Sequence, residues 1–324
     1  MAFLEVIRLT KKYEEKEVVS SLNFNLPQYQ KLAITGETGS GKSSLMKMIA
    51  GLLQPDQGNV FFEGKRVMGP LEQLLPGHQG IAYLSQDSEL RNNYRVEELL
   101  EYANKRTAAE AEQLFRLCRI DHLLQRKNFE VSGGEKQRIA LTRLLIGSPK
   151  LLLLDEPFSN LDLIHKKILK EVLEQISGAL GITCIITSHD PMDTLSWAKE
   201  IMVLQKGRII QQDTPEKIYR QPVSEYAAGL FGAYNLFGSE AAAWPGGKQL
   251  HRLGNDQWLC RPEQIVLQQY NREQPAATVK NICFCGSFYE WELEMNGKSI
   301  LARTMGKDFE VNDRVSISIR QSYF

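Results

Sequence analysis

The sequence predicts an α/β domain with a mostly parallel core sheet flanked by helices, followed by a small all-β, barrel-like domain. Three observations carry that prediction. Residues 1–235 alternate short apolar strands with helical stretches, the pattern of a parallel sheet covered on both faces. Two of those strands run directly into glycine-rich or acidic residues, at the edge where parallel sheets bind ligands. Beyond Asn235 the texture changes to short segments of alternating polar and apolar residues, as in antiparallel strands.

Each element has a local reason. Lys31–Thr35 reads as a buried strand, Ser43–Ala50 as a helix, and Gly51 as its stop. Residues 88–147 form a polar helical insertion without strands, in which Val96–Asn104 and Ala108–Arg119 are the expected helices. Leu151–Leu154 is again an apolar strand, Ile164–Ser177 a helix and Thr183–Thr187 a further strand. The stretch from Gly238 to Gly247 is rich in small residues and turn formers, the chemistry of a linker, so the domains are expected to divide at 235/236. In residues 236–324 the alternating segments include Ala277–Val279, Phe288–Glu294, Ser299–Leu301 and Arg314–Ile319, and Asn296-Gly297 signals a hairpin.

Bulk properties exclude some classes. A chain of 324 residues has room for two domains. Lysine plus arginine (39) equals aspartate plus glutamate (39), so no net charge draws the molecule to nucleic acid or to an anionic membrane. No apolar run approaches the ~20 residues of a spanning helix, and the N-terminus lacks a signal-peptide core. The expectation is a soluble intracellular chain with no direct membrane insertion. Its five cysteines are scattered and odd in number, which fits reduced thiols. Cys283 and Cys285 would share one face of a strand, but no further metal ligands lie nearby in the sequence.

The run Gly36-Glu37-Thr38-Gly39-Ser40-Gly41-Lys42-Ser43-Ser44 leaves a strand, turns through three glycines and enters a helix. Such a loop folds its amide N–H groups around phosphate oxygens, and the helix N-terminus adds its positive dipole end. Lys42 is placed to bridge the β- and γ-phosphates and Ser43 to ligate Mg²⁺. After four leucines come Asp155 and Glu156. Asp155 reads as a holder of Mg²⁺ through its water shell, and Glu156 as a general base or polariser of the attacking water. A nucleotide and Mg²⁺ are therefore expected, and the family resemblance below implies that the nucleotide is ATP.

In this company, Val131-Ser132-Gly133-Gly134-Glu135 resembles the signature of ATP-binding-cassette (ABC) ATPases. Residues 1–235 as a whole are similar to the ATPase subunit of ABC transporters. The resemblance implies that Tyr13 stacks on adenine and that Gln86 contacts Mg²⁺ and senses a membrane partner. It implies that Ser132, Gly133 and Gly134 cap ATP held by a second subunit, that Ser159 to Asp162 form the D-loop, and that His189 contacts the γ-phosphate. The partners so implied are a second copy, or a related ATPase subunit, and an integral membrane permease docking near the Gln86 loop. The place implied is the cytoplasm, peripheral on the inner face of the cell membrane. Two positions depart from the pattern: Val131 stands where leucine is usual and Glu135 where glutamine is usual, next to Lys136 and Arg138.

Thr214 to Pro222, Leu230 to Asn235, and Arg261-Pro262-Glu263 followed by Ile265 resemble the C-terminal part of importer ATPases, with a TOBE-type β-domain. Relatives of that kind serve sugars, polyamines, ferric iron, sulfate and molybdate. The expected function is the ATP-hydrolysing subunit of an importer. The alternatives are a soluble ABC ATPase of translation or DNA repair, disfavoured by the single cassette and the lack of a long coiled-coil insertion, and an exporter ATPase, disfavoured by the β-domain. One copy alone is expected to bind ATP but hydrolyse it poorly.

Overall fold

The computed structural model describes residues 2–86, 94–254 and 256–320. The chain forms two compact units, Met1–Pro215 and Glu216–Phe324. Among the described residues, the first unit is built on a six-stranded sheet in the order Arg208–Asp213, Glu200–Gln205, Lys31–Thr35, Thr183–Thr187, Leu151–Leu154, Ile81–Leu84. All neighbouring pairs are parallel except the outermost Arg208–Asp213 hairpin strand. The three central strands of this sheet are buried at every position. That explains their continuous apolar sequence: a sheet covered on both faces has no solvent side to alternate toward.

Helices start and stop where local chemistry requires. Lys42–Ile49 begins at the left-handed Gly41, and Leu163–Leu180 begins at Asp162, whose carboxylate accepts the His165 N–H, and ends at the left-handed Gly181. The helical insertion contains Val96–Glu101, Ala108–Leu117, two short 3-10 turns and Gly133–Leu145. Its first residues, 88–93, lie outside the described ones. Thr107 and Glu110 form a capping box at the Ala108–Leu117 start.

A second sheet in this unit was not anticipated from the sequence. Leu4–Tyr13 pairs antiparallel with Lys16–Leu26 and with Gln57–Phe62, and Lys65–Arg66 closes the edge. Leu4, Val6, Leu9, Leu22, Phe24 and Leu26 turn into the core with Val60 and Phe62. Their two-residue period is visible in the sequence, but bulges between Val6 and Lys12 break it.

Among the described residues, the second unit carries two antiparallel sheets. One joins Asn235–Phe237, Gln257–Cys260 and His251–Leu253; the other runs Ile265–Gln269, Arg314–Ile319, Ala276–Phe284, Tyr289–Met295, Lys298–Thr304. Trp291, Val279, Leu293, Val315 and Ile317 fill its core. The expected hairpin forms at Asn296-Gly297, where φ values of +52° and +77° suit a two-residue turn between Met295 and Lys298.

Two boundaries differ from expectation. The stretch 238–247 is not a linker: it folds into 3-10 turns, buries Ala241, and sets the Trp244 ring 4.7 Å from that of Phe237. The units divide at Pro215 rather than at Asn235 because residues after 215 are tied inward by Arg261. That side chain is 2% exposed and donates to the carbonyls of Tyr219 (3.0 Å), Ala228 (3.0 Å), Gly232 (3.1 Å) and Ala233 (3.1 Å), with its guanidinium over the Tyr219 ring. A planar fork of five donors suits this cluster of acceptors; an ammonium does not.

No helix of the described residues is long and apolar enough to cross a membrane. Arg261→Met is expected to strand these buried carbonyls and to destabilise the second unit by about 3 kcal/mol or more, read as a lowered urea midpoint for that unit. An unchanged midpoint would show that Arg261 does not hold the boundary segment.

Candidate active site

The phosphate loop is shaped by the strand and helix on either side of it. Lys31–Thr35 runs out of the sheet, the loop turns, and Lys42–Ile49 leads away with no side chain capping its N-terminus. Its first N–H groups are therefore free of side-chain acceptors, an arrangement that suits an anion. Gly41 cannot be replaced, because φ is +102° and a Cβ there would lie 2.2 Å from the Val18 carbonyl oxygen. Lys42 is nearly buried, and its ammonium donates to the carbonyls of Gly36 (2.7 Å) and Glu37 (3.0 Å). Burial lowers its pKa, while Glu156, Asp155 and Glu37 oppose that shift. Ser40 Oγ is buried without a hydrogen-bond partner.

The acidic pair stands at the end of Leu151–Leu154. Parallel register sets Leu154 against Leu84 on one side and Ile186 on the other. Asp155 is 4% exposed; its Oδ1 accepts the Thr187 hydroxyl at 2.6 Å and its Oδ2 the Tyr83 hydroxyl at 2.9 Å. Burial, with the Asp155 charge beside it, holds the Tyr83 phenol far above its ordinary pKa, so it stays protonated and donates to Asp155. Glu156 adopts a left-handed φ of +52°, which costs an L-residue roughly 1–2 kcal/mol. Its N–H donates to Thr187 Oγ1 at 2.9 Å and its carbonyl accepts from Ser159 N–H and Oγ. Its Oε2 lies 2.7 Å from His189 Nδ1. An ionised carboxylate only accepts, so in this contact Nδ1 is the donor.

These pieces meet around one cavity of about 380 Å³, within the range of small-ligand sites. It is lined by Val18, Thr38, Gly39, Gly41, Lys42, Ser43, Ser44, Gln86, Glu156 and His189. All but Val18 are anticipated from the sequence; Val18 belongs to the antiparallel sheet and carries no motif. Asp155, buried beside Glu156, is not among the lining residues. The oxygen donors at hand, the Ser43 hydroxyl, the Gln86 amide and the Asp155 carboxylate acting through water, are of the hard type that suits Mg²⁺.

Other anticipated residues lie elsewhere. Tyr13 is half exposed at the end of Leu4–Tyr13, with the Lys11 ammonium 5.6 Å from its ring centre. Ser132 caps Gly133–Leu145 in a reciprocal box: its Oγ accepts the Glu135 N–H at 3.3 Å, and Glu135 Oε2 accepts the Ser132 N–H at 2.7 Å. The glutamate that departs from the family pattern is thus turned back onto its own helix start. Burial resists its ionisation, but the Ser132 hydrogen bonds with Arg126 and Arg138 outweigh that and hold its pKa below the ordinary value. A Cβ on Gly134 would meet the His165 ring at 2.3 Å, and His165 Nδ1 lies 2.8 Å from Asp162. The signature and the D-loop are therefore packed on one another within the chain.

Residues 19–159 match the ABC transporter family model. The chain is 31% identical to the sulfate/thiosulfate import ATP-binding protein CysA of Mesostigma viride, over 97% of this chain and 90% of that protein. It is 29% identical to the Fe(3+) ions import ATP-binding protein FbpC of Escherichia coli (strain K12), over 92% of this chain and 89% of that protein. Among solved structures, cbiO1 from Clostridium perfringens, described as part of the ABC transporter complex cbiONQ, superposes with a TM-score of 0.59 at 26% identity, covering 67% of this chain and 90% of that one. With these likenesses and a phosphate loop facing Glu156 and His189, the chain belongs to the ABC transporter family as an ATP-hydrolysing, ATP-binding subunit of the import type.

Proposed function

We propose that this chain energises solute uptake by binding ATP in the phosphate-loop cavity, pairing with a second copy or a related subunit, and hydrolysing the nucleotide with Glu156 as base. The observation that carries the reading is the 2.7 Å contact of Glu156 Oε2 with His189 Nδ1 on the wall of the cavity that Lys42 and Ser43 also line. Lys42 and the open helix N-terminus bind and orient the phosphates. Ser43, Gln86 and Asp155 would hold Mg²⁺, which neutralises charge on the phosphate oxygens. Glu156 takes a proton from the attacking water as the bond from the γ-phosphorus to the bridging oxygen breaks, leaving ADP and phosphate. His189 orients that carboxylate through Nδ1, and a second proton, on its other ring nitrogen, would let it donate to the γ-phosphate.

Ser132, Gly133 and Gly134 do not line this cavity, which supports a role toward nucleotide held by a second subunit. Tyr13, half exposed, is the proposed stacking surface for adenine. Asp162 is proposed to serve the same subunit interface.

Docking to a membrane permease is supported by a cleft of about 900 Å³ between the α/β core and the helical insertion. It is lined by Leu74, Leu75, Pro76, Tyr83, Arg143 and Leu144 among others, and the loop at its mouth exposes Leu71 (84%), Leu74 (100%) and Leu75 (84%). Such a concentration of exposed leucines suits a protein partner. The proposed location is the cytoplasm, at the inner face of the membrane. The second unit is proposed to be a TOBE-type β-domain that braces the dimer.

Glu156→Gln is expected to lower kcat by 10²-fold or more while ATP binding persists, with an ATP-bound dimer accumulating in size-exclusion chromatography; undiminished turnover sinks the base assignment. Lys42→Ala is expected to abolish ATP binding measured by equilibrium titration, and wild-type affinity would contradict the phosphate-loop reading. Leu74→Asp combined with Leu75→Asp is expected to abolish co-purification of the chain with its permease from solubilised membranes. Full retention would put docking on another surface.

A further inference from the structure

Position 187 is the last residue of the Thr183–Thr187 strand, and the register that pairs Leu154 with Ile186 sets it beside Asp155. Thr187 is fully buried, where a hydroxyl is unfavourable unless its hydrogen bonds are made. They are made here in one direction only. The Asp155 carboxylate accepts, so the Thr187 proton goes to Oδ1 at 2.6 Å. One of the hydroxyl's two oxygen lone pairs takes the Glu156 N–H at 2.9 Å. Tyr83 holds the other Asp155 oxygen, so the carboxylate cannot swing away from Thr187.

The residue held at the far end of this chain of bonds, Glu156, has a left-handed backbone. A non-glycine residue stays in that region only where its surroundings hold it. The Ser159 bonds fix its carbonyl, and the Thr187 bond fixes its N–H. Valine would fill the same space as threonine, so packing alone does not require the hydroxyl.

We propose that Thr187 is a positioning residue for ATP hydrolysis: by accepting the Glu156 N–H it maintains the backbone turn that aims the Glu156 carboxylate at His189 and the phosphate-loop cavity. The assignment rests on Glu156 being the base. It involves no contact between Thr187 and nucleotide, and Asp155 keeps its Tyr83 hydrogen bond without the Thr187 hydroxyl, so the effect belongs in kcat and not in ATP binding.

The test uses the full chain with Thr187→Val, Thr187→Ser, Glu156→Gln and the Thr187→Val/Glu156→Gln double variant. Thr187→Val is expected to lower kcat by about tenfold to a hundredfold, with KM and the equilibrium dissociation constant for ATP held within about twofold. Thr187→Ser, which keeps the hydroxyl, is expected to restore most of kcat. In the Glu156→Gln background, Thr187→Val is expected to cause no further loss, because its effect passes through the missing carboxylate. Normal kcat in Thr187→Val, a full additive loss in the double variant, a rise in KM matching the loss of kcat, or a Ser variant as slow as the Val variant would each overturn the proposal. Thermal midpoints of the single variants are measured alongside, and a kcat loss that follows the midpoint rather than the hydroxyl also overturns it. Undiminished turnover in Glu156→Gln removes the base reading itself, whereas an inactive Glu156→Gln beside a normal Thr187→Val removes Thr187 alone.

Discussion

The parallel pairing of Leu151–Leu154 with Thr183–Thr187, and of that strand with Lys31–Thr35, is the constraint on which the catalytic unit depends. Because all three strands run the same way, their C-terminal ends lie at one sheet edge. The phosphate loop, the Asp155–Glu156 pair and His189 are delivered there together from distant parts of the chain. A register slip of one residue would turn each of these side chains to the opposite face. The continuous burial of the three strands specifies their depth in the sheet but leaves their side-chain alternation unmarked; the polar residues at their ends mark where each strand stops.

Two helix starts meet the requirements of anion binding differently. Lys42–Ile49 carries no side-chain cap, and its first amides are supplemented only by the loop and by Lys42. Gly133–Leu145 caps itself through Ser132 and Glu135, so part of its N-terminal donor capacity is already spent on the protein. The Ser132 hydroxyl proton and the remaining amides are what it offers a ligand. Glu135, a departure from the family pattern, stabilises that helix start, and the nearby Arg126 and Arg138 compensate its charge. The His165 ring, wedged against Gly134 and bonded to Asp162, ties this helix to the start of Leu163–Leu180.

The second unit shows a different solution to joining segments. Its apolar core is that of an ordinary antiparallel domain, but residues just after Pro215 are held to it by one buried guanidinium that satisfies several carbonyls at once. Burial lowers the pKa of Arg261, and the Tyr219 and Glu263 side chains offset that cost. The Tyr219 hydroxyl in turn donates to Glu263 at 2.6 Å.

What the sequence determined alone is the chemistry that is contiguous in the chain. The phosphate loop, the acidic pair, the signature, the buried strands and the Asn296-Gly297 hairpin each declare themselves in a few adjacent residues, because local backbone geometry demands particular residue types there. Tertiary structure alone decided which ordinary residues complete the site. Val18 and Tyr83 belong to no motif, and Thr187 reads only as the end of an apolar strand, yet the first lines the cavity and the other two both bond Asp155. The domain boundary and the folding of residues 238–247 were equally hidden. They depend on Arg261 and on the Phe237–Trp244 contact, and such hydrogen bonds and packing between distant residues leave no periodic or compositional trace.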